Sequence, residues 1–347
     1  MKLKKKYVDL AVKQTEVLCR IPSPSGFTAG ATEYLNKELK SMGFKPEYSR
    51  KRSVIVDIGG EGDAIVLAAH VDTLGAMVRA LKSNGRLRLT KMGGYPGNNI
   101  EAENCIIHTR FGQTFSGTIQ MSEPAAHVNK ELEKDKRDDK NLEVVIDEKV
   151  GNEKEVEKLG ISAGDFISFD PRTIITKSGF IKSRHLDDKA SSGTLLSLAQ
   201  MIADNEFELK RKVYLLFTTY EEVGHGGSSG IPKNAVEMIS VDMGAVGDDL
   251  KTNEYKVSIC AKDSGGPYDY DVTTKLITLA KDNKLNYAVD IYPFYGSDVE
   301  ATLYAGYDIK HALIGPGAAA SHGYERTHKE GLENTLKLLV LYLKKGV

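Results

Sequence analysis

Short apolar runs alternate with amphipathic stretches along much of the chain. VIVDI (54–58), IVLAA (65–69), VYLLFT (213–218) and EMISV (237–241) are five or six residues long and bounded by turn formers, which predicts buried strands of a mixed sheet. Residues 30–42 (GATEYLNKELKSM) carry apolar positions at helical spacing and stop at Gly43. The stretch 190–204 (ASSGTLLSLAQMIAD) is small and apolar enough to be a helix packed on a sheet, and GLENTLKLLVLYLKK (331–345) reads as another. At the amino end MKLKKKYVDLAVKQTEVLC mixes polar and apolar residues without an unbroken apolar run, so it reads as an amphipathic helix and not as a signal peptide. Strands alternating with helices predict an α/β layered domain with ligand groups at strand ends.

The middle of the chain has a different texture. GRLRLTK, NCIIHTR, TFSGTIQM and DFISFDP are short strand-like pieces separated by glycine turns, with little helix between them. We read residues 75–174 as an inserted β-rich domain that divides a catalytic domain made of residues 1–74 and 175–347. The charge run KELEKDKRDDKNLE (130–143) within it is expected to be a solvated loop.

Composition narrows the partner. Against 48 acidic residues stand 47 lysines and arginines, so no global field favours nucleic acid or an anionic membrane. No segment reaches the roughly 18 apolar residues that span a bilayer. Cys19, Cys105 and Cys260 are isolated and odd in number, which suggests a reduced, cytoplasmic setting. A small molecule or peptide is the expected partner.

Candidate chemistry clusters where strands end. Glu221 and Glu222 follow KVYLLFTTY directly, and two adjacent buried carboxylates call for a cation nearby. His70 and Asp72 follow IVLAA as AHVD, a spacing that lets the aspartate orient the imidazole. Asp187 and Asp188 precede a helix; one of them could be a cap, but two in succession after a histidine exceed what capping needs. Asp242 ends another strand in SVDMG, and IGPGAAASHGYERTH offers His322 and His328 after a flexible Gly/Ala stretch. Nitrogen and oxygen donors without thiolate suit zinc, cobalt or manganese, and five protein ligands suit two divalent ions better than one tetrahedral zinc. One glutamate is then left over as a general base.

Taken in order, IPSPSGFTAGATEYLNKEL, AHVDTLGAMV, VIDEKVGNEKEVEKLGISAGDFISFDP, HLDDKASSG, TTYEEVGHGG, SVDMG and YGSDVEA resemble the co-catalytic metallo-aminopeptidases of the glutamyl/tetrahedral (TET) family. The resemblance covers nearly the whole chain and implies a phosphorylase/hydrolase-like mixed sheet with flanking helices. It also implies that His70 and Asp242 hold one metal, Glu222 and a carboxyl-terminal histidine the other, and that Asp187 bridges them. Asp72 would orient His70, Asp188 would follow Asp187 across a cis peptide, and Glu221 would be the base. The inserted domain would serve dimerisation, in a family whose dimers often build dodecamers. Two positions depart from the family pattern: Thr73 stands where an acid is common, and SHGYERTH offers two histidines, of which His322 falls nearest the expected place.

The implied activity is removal of amino-terminal residues from peptides with a free amino terminus, by attack of a water shared between two divalent ions. A deacylase or carboxypeptidase-like hydrolase on the same dinuclear core is the alternative, and an inactive oligomeric scaffold is a third reading. Asp298, in YGSDVEA, has two readings: a cap for the helix that follows it, which is the favoured one, or a side chain pointing into the first side-chain pocket, where it would favour a basic residue.

Overall fold

A computed structural model describes residues 3–344; Met1, Lys2 and residues 345–347, the first of which closes the 331–345 stretch, lie outside it. The four apolar runs form strands Val54–Gly59, Ala64–His70, Lys212–Thr218 and Ala235–Val241, all in one mixed sheet. Strand Ala64–His70 is buried at every position, as a strand covered on both faces must be. It lies between Lys212–Thr218 and Ala235–Val241 and runs parallel to both, with Thr218 directly opposite His70. Strand Lys310–Ala318 continues the parallel set beside Ala235–Val241. Four carboxyl ends therefore point to the same edge.

That last strand includes most of the Gly/Ala stretch read from the sequence as flexible. Gly315 sits against the Asp242 backbone so closely that a Cβ there would run into the Asp242 carbonyl. Small residues at this place serve close strand packing, which looks like looseness in a one-dimensional reading. Strands Val257–Lys262 and Tyr287–Ile291, which no pattern had singled out, complete that side of the sheet.

Helices Lys5–Arg20, Ala29–Ser41, Leu186–Ala203 and Lys329–Lys344 supply apolar side chains to the core against the sheet, including Leu18, Leu35, Leu195 and Leu339. The amino-terminal helix crosses Leu186–Ala203 at Gly193, where a Cβ would lie 2.7 Å from the Thr15 nitrogen and 2.9 Å from the Ala11 oxygen. Here close approach outweighs helix propensity.

The inserted segment closes on itself. Strands Gly75–Leu81, Leu87–Met92, Leu142–Ile146, Thr114–Met121, Asn104–His108 and Phe166–Phe169 form a barrel in that order around its own core of Val78, Leu89, Ile107, Ile119, Val144 and Ile167. Closure leaves no free sheet edge. The charge run is exposed or half-exposed over residues 130–141, as a solvated loop should be, but Leu142 and Glu143 enter a barrel strand and are buried, and Arg137 folds back to pair with Glu101 at 2.8 Å.

Gly193→Ala gains about 1 kcal/mol of helix propensity but forces two helices apart against backbone atoms, which costs about 1–3 kcal/mol. The expected outcome is a net loss of stability, read as a lower Tm in thermal denaturation; an unchanged or raised Tm would show that the interface yields.

Candidate metal centre

The shared strand edge gathers the titratable side chains. His70 is the last residue of its strand, Asp242 follows Val241, and Glu221 and Glu222 leave strand Lys212–Thr218 through Tyr220, whose φ of 68° turns the chain. Asp187 and Asp188 come from the opposite direction, at the start of helix Leu186–Ala203, and the peptide bond between them is cis. His322 lies in the turn between strands Lys310–Ala318 and Glu325–His328.

Asp187 is the hinge of the cluster. One oxygen stands 2.9 Å from His70 Nε2 and the other 3.4 Å from His322 Nε2. Glu222 Oε2 lies 3.7 Å from His322 Nε2, and Glu221 Oε2 lies 3.7 Å from His70 Nε2. Donor atoms of His70, Asp187 and Glu222 fall within 4.8 Å of one another, and so do those of His70, Asp188 and Asp242. Every sequence-predicted site residue is thus in or beside one cluster. His328 is not: its ring packs against Phe180 and Tyr255, and its Nε2 faces the Ser178 carbonyl at 2.9 Å.

The supporting contacts differ in detail from the sequence expectation. The His70 Nδ1–H meets the Asp72 carbonyl at 2.9 Å, while the Asp72 carboxylate stands 3.7 Å off. That carboxylate instead accepts the amides of Glu221 at 3.1 Å and Glu222 at 3.4 Å, and the Ser25 hydroxyl at 2.5 Å. Asp72 therefore holds the glutamate doublet as well as the histidine. Ser25, in the IPSPSGF stretch, carries no local sequence signal for this contact. Thr73 joins a short pairing with the 23–25 segment, its amide on the Ser23 carbonyl at 2.9 Å, so its buried side chain stays out of the cluster. Asp298 caps no helix end; its carboxylate accepts the Thr218 hydroxyl and ties the following helix to the strand that carries the doublet.

Electrostatics mark the cluster as a cation site. Burial holds Glu222 well above the usual carboxylate range, with Asp187 adding to it. Burial does the same to Glu221, helped by Asp242, Asp298 and Glu222 against the pull of His70. Asp188 is raised by burial and by Asp242, and Asp242 reaches about 7 through burial and Asp187. Asp187 goes the other way: burial opposes ionisation, but hydrogen bonds to His322 and His70 prevail. For His322, burial works against the charge while Asp187 and Glu222 push it up to about 10. Glu222 Oε1 and Asp188 Oδ1 are buried without a hydrogen-bond partner. The adjoining cavity of about 550 Å³ has no lysine or arginine among the described residues that line it. Buried carboxylates, orphaned oxygens, two imidazoles and no basic side chain are a donor set that fits divalent ions.

Comparisons with known proteins identify the family and the fold. The family model for the M42 glutamyl aminopeptidase matches residues 52–338. YhfE of Bacillus subtilis (strain 168), described as a "Putative aminopeptidase", is 47% identical over 329 residues, 94% of this chain and 95% of that protein. Two solved structures share the fold: the Pyrococcus horikoshii TET1 peptidase, with a TM-score of 0.84 at 22% identity over 96% of this chain and 99% of that one, and the TET aminopeptidase of Thaumarchaeota archaeon SCGC AB-539-E09, with a TM-score of 0.86 at 18% identity over 97% and 96%.

Because an ion must displace protons from carboxyls and imidazoles raised in this way, binding releases protons and tightens as pH rises. Calorimetric titration of chelator-stripped protein with zinc is expected to show rising affinity from about pH 6 to about pH 8, the range centred on the Asp242 value of about 7. A flat profile would contradict the cluster as the site.

Proposed function

The chain belongs to the M42 glutamyl aminopeptidase family and is a hydrolase, an aminopeptidase; from that premise we propose that it is a dinuclear-metal exopeptidase acting on peptides with a free amino terminus. The observation that carries this reading is Asp187, whose two oxygens face His70 at 2.9 Å and His322 at 3.4 Å. A carboxylate shared in this way suits a bridging ligand. His70 and Asp242 would hold one ion and Glu222 and His322 the other, with zinc or cobalt the favoured metals and manganese an acceptable one. When bound, such ions supply Lewis acidity to the scissile carbonyl and make water nucleophilic at neutral pH.

The residues of this chain do the rest. Glu221 is partly buried beside His70 but left over from the ligand set, and its raised affinity for a proton fits a base that accepts one from the attacking water and returns it to the leaving amine. Asp72 keeps Glu221 and Glu222 in register through their amides, so that neighbours in sequence serve different tasks. The absence of lysine and arginine from the described cavity lining favours recognition of an amine over recognition of a free carboxylate, which separates this reading from a carboxypeptidase-like one.

We extend the reading to a cytoplasmic homo-oligomer. The three cysteines are buried and unpaired, as in a reducing compartment, and no helix among the described residues is long and apolar enough to cross a membrane. The TET1 peptidase of Pyrococcus horikoshii can assemble into a tetrahedron or a large octahedral shell. The inserted unit, residues 75–174, is the candidate dimerisation surface, with Phe111 90% and Val128 81% exposed on it.

Glu221→Gln is expected to retain both ions by metal analysis while kcat on aminoacyl chromogenic substrates falls by about 10²–10⁴-fold. Asp187→Asn should instead lose bound metal. Near-normal turnover in the Glu221→Gln protein would remove it from the role of base.

A further inference from the structure

Two candidate ligands that share a role are held in different ways. The His70 side chain is 1% exposed and locked by its own strand, whereas that of His322 is 35% exposed and sits in a turn. His322 also has a φ of 62°, a left-handed conformation that a non-glycine residue adopts only when its surroundings impose it. Burial alone does not fix such a ring, so its orientation depends on the hydrogen bonds around it.

Most of those bonds come from the inserted barrel. The ring Nδ1–H meets the Gly94 carbonyl at 2.5 Å, which leaves Nε2 free to face Asp187 and Glu222. The backbone carbonyl of His322 accepts from Asn99 Nδ2 at 2.9 Å, while its amide donates to Glu325 at 3.1 Å. Gly94 and Asn99 belong to the segment between barrel strands Leu87–Met92 and Asn104–His108. Asn99 is itself tied down, since the guanidinium of buried Arg184 donates to its carbonyl and pairs with Glu103 at 3.1 Å. Gly93 brings this segment close to the glutamate doublet, because a Cβ there would run into Leu74 and come within 3.4 Å of the Glu222 carbonyl.

We propose that Asn99 is a positioning residue of the metal centre: acting with the Gly94 carbonyl, it lets the inserted barrel unit set the backbone and ring of His322, so that the unit helps complete the active site in addition to any role in assembly. The inference rests on the reading of His322 as a ligand.

The test compares Asn99→Ala, Asn99→Leu, which keeps the volume but drops the donor, and His322→Ala. Chelator-stripped proteins are titrated with zinc by calorimetry and with cobalt by visible absorption, and the melting of the stripped forms is recorded separately. The expected result is that His322→Ala loses one of two binding events. Both Asn99 variants should weaken that same event by about 10–100-fold, with the other event and the Tm of the stripped protein unchanged. If His322→Ala loses an event while both Asn99 variants bind like wild type, the positioning role is overturned. It is equally overturned if both events weaken together in step with a lower Tm of the stripped protein, because Asn99 is then only structural. If His322→Ala keeps both events, the ligand assignment itself fails and takes this proposal with it.

Discussion

Asp187, Asp188, Glu221, Glu222 and Asp242 share a largely buried region with His70 and His322, and this density of negative charge is the constraint that the surrounding architecture answers to. Isolated burial of even one ionised carboxylate is prohibitive, and five together are tolerable only with protons or cations among them. Protein cations do not take that part. Lys189, completely buried two residues after Asp187, donates to the Ile21 carbonyl at 2.7 Å and so serves the end of the amino-terminal helix. Lys51 is bound to the His225 carbonyl and to Ser228.

The rest of the site follows from delivering those groups without leaving their own backbone unsatisfied. Parallel strands provide the means, because their carboxyl ends arrive at one edge with the ladder already complete behind them. The first residues beyond the ladder are then held by side chains of the cluster itself. Asp72 accepts the amides of the glutamate doublet, Asp188 accepts the His70 amide at 3.2 Å, and Glu325 accepts the amides of Asp187 and His322 at 3.0 and 3.1 Å. Asp188 thus both adds to the negative charge and helps to organise the site, while Asp72 and Glu325 at its margin hold the backbone of the other groups.

The place of the insertion matters for the same reason. The barrel leaves the catalytic layer just after Asp72 and returns ahead of Asp187, so its base is rooted between two of the groups that meet in the cluster. A unit attached there can reach the turn carrying His322 with a single loop, whereas one attached at the opposite edge of the sheet could not. Arg184 strengthens the junction by joining Glu103 of the inserted segment to the Asn99 carbonyl.

Local chemistry was enough to read much of this from the chain alone. Strands such as Ala64–His70 are legible because burial on both faces demands unbroken apolar residues, and His70, Glu221, Glu222 and Asp242 stand out because acids and histidines just beyond such strands are costly without a purpose, while Asp187 stands out as one of two successive acids ahead of a helix. Strand Lys310–Ala318 was illegible, since its glycines and alanines answer to a neighbouring backbone that no local pattern shows. The same holds for Ser25, Gly94 and Asn99, whose residue types carry no signal until folding brings them to Asp72 and His322. The choice between His322 and His328 also belongs to the tertiary structure: six residues apart, one ring turns toward Asp187 while the other packs between Phe180 and Tyr255. Residue types and their periodicity determine which chemistry the chain can assemble, because they act through local burial and charge. Which atoms meet is decided by packing between segments far apart in sequence.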